Sequence, residues 1–290
     1  MKNKAASWLD KLRVLPQYFI PQHFISSLVY RITRCETPWF KNVLIKLFIS
    51  VFDVDMSLAN NPDPESYSSF NTFFTRELSA EVRPISLDEK TILSPVDGAI
   101  SQVGGIDNDT IIQAKGKSYT LKDLLVEDDL VTMFTGGTFA TLYLSPKDYH
   151  RIHMPVSGQL NRMIYVPGKL FAVNSHTVRV VDSVFARNER VINIFNTDIG
   201  PMAMVLVGAL NVGSMETVWA GQITPAKDRV IDDKQYSEGD VQLQQGQEMG
   251  RFNMGSTVIL LFPKDVMQWS DEIVAEKTII VGEGIGSVID

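Results

Sequence analysis

Apolar residues recur at helical spacing near the start of the chain, in stretches that prolines interrupt. The pattern predicts two or three helices over residues 5–55, broken at Pro16, Pro21 and Pro38, since a proline disrupts the helix in which it lies. These segments are aromatic as well as aliphatic, as in QYFIPQHFISSLVY and WFKNVLIKLFISVF. Residues 1–56 are therefore predicted to form a helical unit, called the head below.

The pattern changes after the head. Residues 57–70, SLANNPDPESYSSF, are typical of a linker, and FNTFFTREL predicts a short helix capped near Asn71 or Thr72. From Ile92 onward short apolar runs alternate with turn residues, which predicts strands in FATLYL, RMIYVPG, VINIF, MAMVLVGALNVG and TVILLF. Residues 224–240 are polar enough to predict a surface loop. A mainly β, barrel-like or sandwich-like body after a helical head makes the fold class α+β.

One segment of this body places a possible nucleophile at the start of a strand. In GRFNMGSTVILLF, residues 258–262 predict a buried strand that Pro263 ends, with Gly255 and Ser256 at its mouth. A turn before a core strand explains Gly and Ser without any chemistry. Gly255 also permits a sharp bend or a close approach of another group, so the pattern leaves a functional alternative open.

Charge separates the head from the body. The net charge is −7, yet residues 1–52 contain eight Lys and Arg against Asp10 and Glu36. An acidic body argues against general nucleic-acid binding. The head is too interrupted to span a bilayer, so it predicts either a segment in the interface of an anionic membrane or a layer packed on the body. A single cysteine, Cys35, excludes an internal disulfide and predicts a reducing compartment.

Two of the four histidines lie close together in SPKDYHRIHMP. Ser145 and Asp148 resemble a capping box, and a helical turn from there places His150 and His153 on one face. Such a pair is a metal site, a structural pair bonded to backbone, or a general base with a general acid. The sequence contains no HExxH pattern and no companion cysteines, which counts against metal.

Asp97 and Ser256 complete a possible triad with His153. An aspartate can hold the tautomer of a histidine that takes the proton of a serine hydroxyl. Asp97 precedes Gly98, however, and an Asx-turn explains that pair equally well. Sequence spacing alone does not bring these residues together.

Several motifs taken together resemble the bacterial phosphatidylserine decarboxylase family: GQEMGRFNMGSTVILLF, LSPKDYHRIHMPVSG, FARNERV, GSMETVWAG and SPVDGAI. The likeness runs from Phe70 to the strand after Ser256, and Met254 stands where the family often has Leu. The resemblance implies a proenzyme that cuts itself at Gly255–Ser256 into a β chain, 1–255, and an α chain, 256–290. The cleavage residues it implies are Asp97, His153 and Ser256.

The same resemblance implies a covalent pyruvate cofactor, the pyruvoyl group formed from Ser256, and no metal. This group forms a Schiff base with the substrate amine, so that phosphatidylserine is converted to phosphatidylethanolamine and CO2 in phospholipid biosynthesis. His150 is implied as an acid or orienting donor in that step. The expected arrangement is a head, 1–56, on an anionic membrane surface and a catalytic domain, 57–290. A homodimer, peripheral on the cytoplasmic side of the cell membrane, is expected.

Three other functions fit parts of the sequence. A serine hydrolase would use the same triad, but Ser256 lacks the GxSxG pattern of the nucleophile elbow. A non-catalytic membrane lipid-binding protein would explain the head but not the Gly-Ser site with its histidines and aspartate. A pyruvoyl decarboxylase for a soluble amino acid would leave the amphipathic head without a role.

Overall fold

The computed structural model describes residues 6–85, 88–210, 214–226 and 228–289. The helices of this part of the chain are α1 Trp8–Val14, α2 Gln22–Thr33, α3 Pro38–Phe52, α4 Phe70–Phe74, α5 Leu121–Leu125, α6 Asp128–Phe134, α7 Ser175–Val180 and α8 Val184–Arg187. Short 3-10 turns lie at Leu15–Tyr18, Met56–Leu58 and Pro64–Ser66.

The strands are β1 Thr91–Leu93, β2 Gly98–Gly105, β3 Thr110–Ala114, β4 Lys117–Thr120, β5 Thr138–Tyr143, β6 Arg151–His153, β7 Gly158–Val166, β8 Arg190–Thr197, β9 Gly200–Val207, β10 Met215–Thr217, β11 Gly221–Gln222, β12 Asp232–Gln235, β13 Gln242–Leu243, β14 Glu248–Phe252, β15 Thr257–Phe262, β16 Met267–Trp269, β17 Thr278–Ile279 and β18 Gly284–Val288. The α+β class predicted from the sequence is confirmed.

A large antiparallel sheet organises the body in the order β12-β7-β8-β9-β15-β5-β2-β17, with β13 also paired to β7. Smaller sheets have the orders β11-β10-β14-β6 and β1-β18-β16, and β3 pairs with β4. The predicted surface loop at residues 224–240 is only partly a loop. Its centre forms β12, an exposed edge strand paired to β7, because edge pairing requires no apolar side chains.

The apolar run of β15 is buried on both faces of the large sheet. Ile259 and Leu261 belong to a core shared with α5, α6, α7 and α8. Val258, Leu260 and Phe262 face the other way, into a core shared with β1, β14 and β18. A strand between two cores has no solvent face, and this explains why its sequence is continuously apolar rather than alternating.

The helices of the head pack on the body, and the predicted breaks at the three prolines are confirmed. Asp10 of α1 is buried and accepts hydrogen bonds from Arg179, and it pairs with His176. Gln22 of α2 accepts a hydrogen bond from the backbone N–H of Leu170. The expectation of a helical layer on the body is therefore confirmed, while the domain boundary at residue 56 stays a prediction.

The opposite side of the head is apolar and exposed. Its large exposed side chains are Trp8, Leu9, Leu12, Leu15, Tyr18, Phe19, Phe24, Leu28, Ile32, Trp39, Val43, Leu47, Val51 and Phe52. No helix within the described part of the chain is long and apolar enough to cross a membrane. Lys2 and Lys4, which contribute to the basic charge of the head, lie outside the described residues.

Candidate active site

Strand pairing brings distant segments together at the start of β15. This strand lies between β5 and β9, and the backbone N–H of Leu144 extends the pairing by donating to the Ser256 carbonyl at 3.0 Å. Asp97 directly precedes β2, the other neighbour of β5. Gly98 is required there, because a Cβ would lie 2.3 Å from the Tyr143 carbonyl oxygen. Asp97 and Ser256 therefore approach the same end of β5.

The Ser256 hydroxyl is buried and lacks a partner. Its Oγ makes no hydrogen bond within the described structure, and the residue is 0% exposed. A buried polar group without a partner costs free energy, so such atoms often mark functional sites. Gly255 lies beside it, where an added Cβ would be 3.4 Å from both His150 Nε2 and the Leu144 carbonyl oxygen. Two polar atoms thus lie close to Gly255, next to the unpartnered hydroxyl.

His150 is the histidine that approaches this bond. Its Nδ1 lies 2.7 Å from the Asp148 carbonyl oxygen, so Nδ1 carries the proton and Nε2 has a free lone pair. Nε2 has no hydrogen-bond partner, and the Phe74 ring packs on the imidazole with 4.2 Å between ring centroids. Burial, assisted by the positive charge of Arg76, lowers the pKa of His150 to about 3. The ring is therefore neutral at pH 7.

His153 has both ring nitrogens occupied by hydrogen bonds. Nδ1 donates to the Gly246 carbonyl at 2.8 Å, and Nε2 accepts from the Tyr149 hydroxyl at 3.1 Å. The tautomer of His153 is therefore held by a backbone carbonyl, the task predicted for Asp97. Burial lowers the pKa of His153, and the hydrogen bond to Gly246, the charge of Glu248 and, to a smaller extent, the charge of Asp97 act in the opposite direction.

Asp97 is paired with an arginine rather than hydrogen-bonded to a histidine. Arg83 donates two hydrogen bonds to its carboxylate, from Nε at 3.0 Å and from Nη2 at 2.5 Å. The backbone N–H of Val281 adds a third at 2.8 Å. The Asp97 carboxylate therefore bonds to Arg83 and Val281 and does not form the Asx-turn that the sequence suggested. The structure places Asp97 near His153 without a direct hydrogen bond between them.

The predicted helical turn around the two histidines is wrong. Asp148 does accept a hydrogen bond from the backbone N–H of Ser145, as in half of a capping box, but the turn ends there. The chain instead becomes β6, which pairs with β14. Cross-strand pairing outweighs the local helix signal, and His150 and His153 lie around a turn and a strand rather than along one helical face.

Sequence reasoning missed three residues around the site, namely Arg76, Arg83 and Tyr149. They line a cavity of about 230 Å³ together with Asp97 and Asp148. The one available signal was an arginine within the aromatic segment FNTFFTREL, where a charged residue in an apolar setting indicates a buried role.

The site fits a group made from Ser256 itself. Its orphaned hydroxyl is a possible reacting atom, and the unpartnered Nε2 of His150, next to Gly255, is a possible hydrogen-bond acceptor. The described residues contain no cluster of three or more His, Cys, Asp or Glu arranged to hold a metal ion.

Comparison with known proteins defines the class. A family model described as "Phosphatidylserine decarboxylase" matches residues 70–287, and one described as "PSD" matches residues 12–53. The chain is similar to the phosphatidylserine decarboxylase proenzyme of Nitrosococcus oceani, with 51% identity over 283 residues, 97% of this chain and 92% of the relative. The corresponding proenzyme of Alkalilimnicola ehrlichii is 57% identical over 258 residues, 88% of this chain and 90% of the relative.

A third relative, the phosphatidylserine decarboxylase proenzyme of Marinobacter nauticus, is 52% identical over 97% of this chain and 99% of its own length. The chain therefore belongs to the phosphatidylserine decarboxylase family. The resemblance inferred from the motifs is confirmed, and with it the prediction of a pyruvoyl-dependent decarboxylase made as a proenzyme.

Proposed function

We propose that this chain cuts itself between Gly255 and Ser256 and then converts phosphatidylserine to phosphatidylethanolamine and CO2. One observation carries the proposal. The Ser256 hydroxyl is fully buried without a hydrogen-bond partner, beside a glycine whose Cβ position lies 3.4 Å from the unpartnered Nε2 of His150. A buried, unpartnered hydroxyl next to the carbonyl group that it would attack suits an acyl shift within the chain.

In the self-cleavage, Ser256 Oγ loses its proton to a histidine and bonds to the Gly255 carbonyl carbon. The C–N bond between the two residues then breaks, and its nitrogen takes the proton, which leaves an ester. Loss of the Ser256 Cα proton and departure of the Gly255 carboxylate give dehydroalanine. Hydrolysis of its imine tautomer releases ammonia and leaves the pyruvoyl group at the start of the α chain.

We assign His153 and Asp97 to the proton transfer of self-cleavage. The support is that the neutral His153 keeps its proton on Nδ1, donated to Gly246, and therefore presents a lone pair on Nε2. In the precursor the Tyr149 hydroxyl donates to that lone pair. The assignment therefore requires the Ser256 hydroxyl to replace the Tyr149 hydroxyl as the donor to His153 Nε2. The Asp97 carboxylate favours the protonated imidazole electrostatically, in addition to the stronger effect of Glu248.

We assign His150 to the decarboxylation. The pyruvoyl group supplies an electron-withdrawing carbonyl that accepts the electrons released with CO2. His150, neutral at pH 7 and fixed by Asp148 and Phe74, presents its Nε2 lone pair beside Gly255 and can orient the substrate amine by accepting a hydrogen bond from it.

The exposed surface of the head is evidence for a lipid substrate, because a lipid stays in the bilayer and the enzyme must bind there. Apolar side chains recur every fourth residue on the exposed sides of two helices, Phe24, Leu28 and Ile32 on α2 and Trp39, Val43, Leu47 and Val51 on α3. Rows of this kind, with basic residues around them, suit the interface of an anionic membrane. We therefore place the chain on the membrane as a peripheral protein, on the cytoplasmic side. The expected homodimer stays a prediction.

The head also contacts the site. The buried side of α3 packs through Phe48 into a cluster that includes Phe74, and Met254, the residue before Gly255, packs against it. Phe74 in turn packs on His150. One helix thus has an apolar row toward solvent and a buried side next to the reacting bond, which suits an active-site mouth at the level of the lipid headgroups.

An intact mass spectrum beside the Ser256→Ala variant tests the cleavage. We expect two fragments, the smaller starting at position 256 and lighter by one ammonia than a chain beginning with serine, and one unbroken chain for the variant. An unbroken chain in both samples would refute the proposal. His153→Ala should block cleavage, whereas His150→Ala should cleave and fail to decarboxylate. The reverse result would exchange the two assignments.

Vesicle binding tests the membrane assignment. Leu47→Glu, on the exposed row of α3, should weaken binding to vesicles that contain phosphatidylserine, and binding should also fall with added salt. Gln268→Glu adds the same charge at an exposed position of β16 in the body and serves as the control. Equal binding by both variants would contradict the assignment.

A further inference from the structure

The segment just before the reacting bond is fastened by one buried side chain, that of Asn253. Its Nδ2 donates to Ser214 Oγ at 2.5 Å and to Glu216 Oε1 at 2.7 Å, and its Oδ1 accepts from Asn71 Nδ2 at 2.9 Å. Its backbone N–H donates to the Ser214 carbonyl at 2.9 Å. Asn253 is 1% exposed, so these bonds are shielded from competing water.

The partners of Asn253 belong to elements that also build the site. Glu216 lies on β10, which pairs with β14. Asn71 lies on α4, the helix whose Phe74 packs on His150. Asn253 therefore holds the chain segment to be cut to β10 and to α4, and α4 also packs on the histidine beside the bond.

A second attachment lies directly after the bond. The Ser256 carbonyl accepts a hydrogen bond from the backbone N–H of Leu144, which fixes the start of β15 against β5. Asn253 and Ser256 thus hold the chain on either side of Met254 and Gly255. A segment this short, attached at both ends, has few conformations available to it.

We propose that Asn253 is a positioning residue for self-cleavage, which holds the Gly255 carbonyl carbon within reach of Ser256 Oγ. The inference rests on the cleavage at Gly255–Ser256 proposed above. An attack of one group of a chain on the next bond depends steeply on alignment, and a misplacement of about 1 Å can cost roughly 10²-fold in rate. The network supplies that alignment without touching the reacting atoms.

The donor pattern of the network offers a specific test. Asn253→Asp keeps the side-chain shape and the acceptor for Asn71, but it removes both N–H donors and sets a carboxylate against that of Glu216. Adding Glu216→Gln to the same chain restores a donor–acceptor pair, since the new amide N–H can donate to the aspartate. Glu216→Gln alone retains an acceptor for Asn253 and should cleave normally.

The measurement is the time course of cleavage in a cell-free synthesis of the full chain, followed with and without hydroxylamine. Hydroxylamine attacks the ester and therefore reports the acyl shift separately from the later elimination. We expect Asn253→Asp to slow both ester formation and cleavage by about 10²-fold. The double variant should recover most of that loss. The control, Asn193→Ala, removes an equally buried amide on β8 and should cleave at the parental rate.

The inference would be overturned if Asn253→Asp cleaved at the parental rate, or if Glu216→Gln did not restore cleavage to the slow variant. Melting temperatures of the same variants, each carrying Ser256→Ala, separate alignment from stability. The inference is also overturned if the cleavage rate falls in proportion to the melting temperature and Asn193→Ala cleaves as slowly as Asn253→Asp. If the parental chain itself does not cleave, the proposed function fails instead.

Discussion

The buried imidazole of His150 makes the stability of the precursor depend on pH. In the unfolded chain this histidine takes up a proton near its ordinary pKa of 6.5, whereas in the folded chain burial lowers the pKa to about 3. Between these values unfolding takes up a proton. The stabilisation is therefore fully present above about pH 6.5 and is lost as the pH falls toward 3.

The size of the loss of stability follows from how far the pH lies below the pKa of His150 in the unfolded chain. Each pH unit below the unfolded pKa costs about 1.4 kcal/mol, so near pH 5 the loss is about 2 kcal/mol. The chain has 290 residues, and at an unfolding entropy of about 2.1 cal/mol/K per residue a change of about 1 kcal/mol shifts the melting temperature by about 1.6 °C. Replacing His150 by Gln removes the titrating group. The fall in melting temperature between about pH 7.5 and about pH 5 should then be smaller by roughly 3 °C.

The assay is thermal unfolding in a Ser256→Ala background, which keeps every sample as one chain. His150→Gln is compared with the parent at both pH values. His23→Gln is the control, because that ring is only partly buried and should change the pH dependence less. An equal fall in melting temperature for His150→Gln and the parent would falsify the reasoning that burial keeps His150 neutral.

Three further changes follow from the contacts. Phe74→Ala removes a ring that is 1% exposed and packs on His150, so we expect a loss of about 3–5 kcal/mol in a denaturant titration, with Phe74→Leu losing less. Arg83→Met leaves the Asp97 carboxylate without its cation, and the cost should be about 3–5 kcal/mol; an unchanged melting temperature would contradict the importance of this pair. Lys46→Ala removes an exposed ion pair, and the change should stay below about 1 kcal/mol, so a large loss would show that exposed pairs matter more here than expected.

Local pattern in the sequence determined much of the fold. Prolines marked the boundaries of the head helices, because a proline fits the first turn of a helix but disrupts its interior. The apolar run of β15 indicated a buried strand, because a strand covered on both faces has apolar residues at successive positions. The motifs around Gly255 and Ser256 identified the family. These features depend on neighbours within a few residues, which a sequence displays directly.

Tertiary structure alone decided how the site is assembled. The capping signal of Ser145 and Asp148 predicted a helix for His150 and His153, yet pairing of β6 with β14 made part of that segment a strand. The Asp97 carboxylate accepts hydrogen bonds from Arg83, and no motif in the sequence marks Arg83 as a site residue.

The physical reason is that these contacts join residues far apart in the chain. Asn253 is bonded to Asn71, 182 residues away, and His153 to Gly246, 93 residues away. A sequence shows which atoms can donate or accept, but the sheet order decides which of them meet. Short motifs in the sequence are therefore sufficient to identify the protein family. The hydrogen bonds that fix the histidine tautomers and align the reacting bond form only when the strands are brought together.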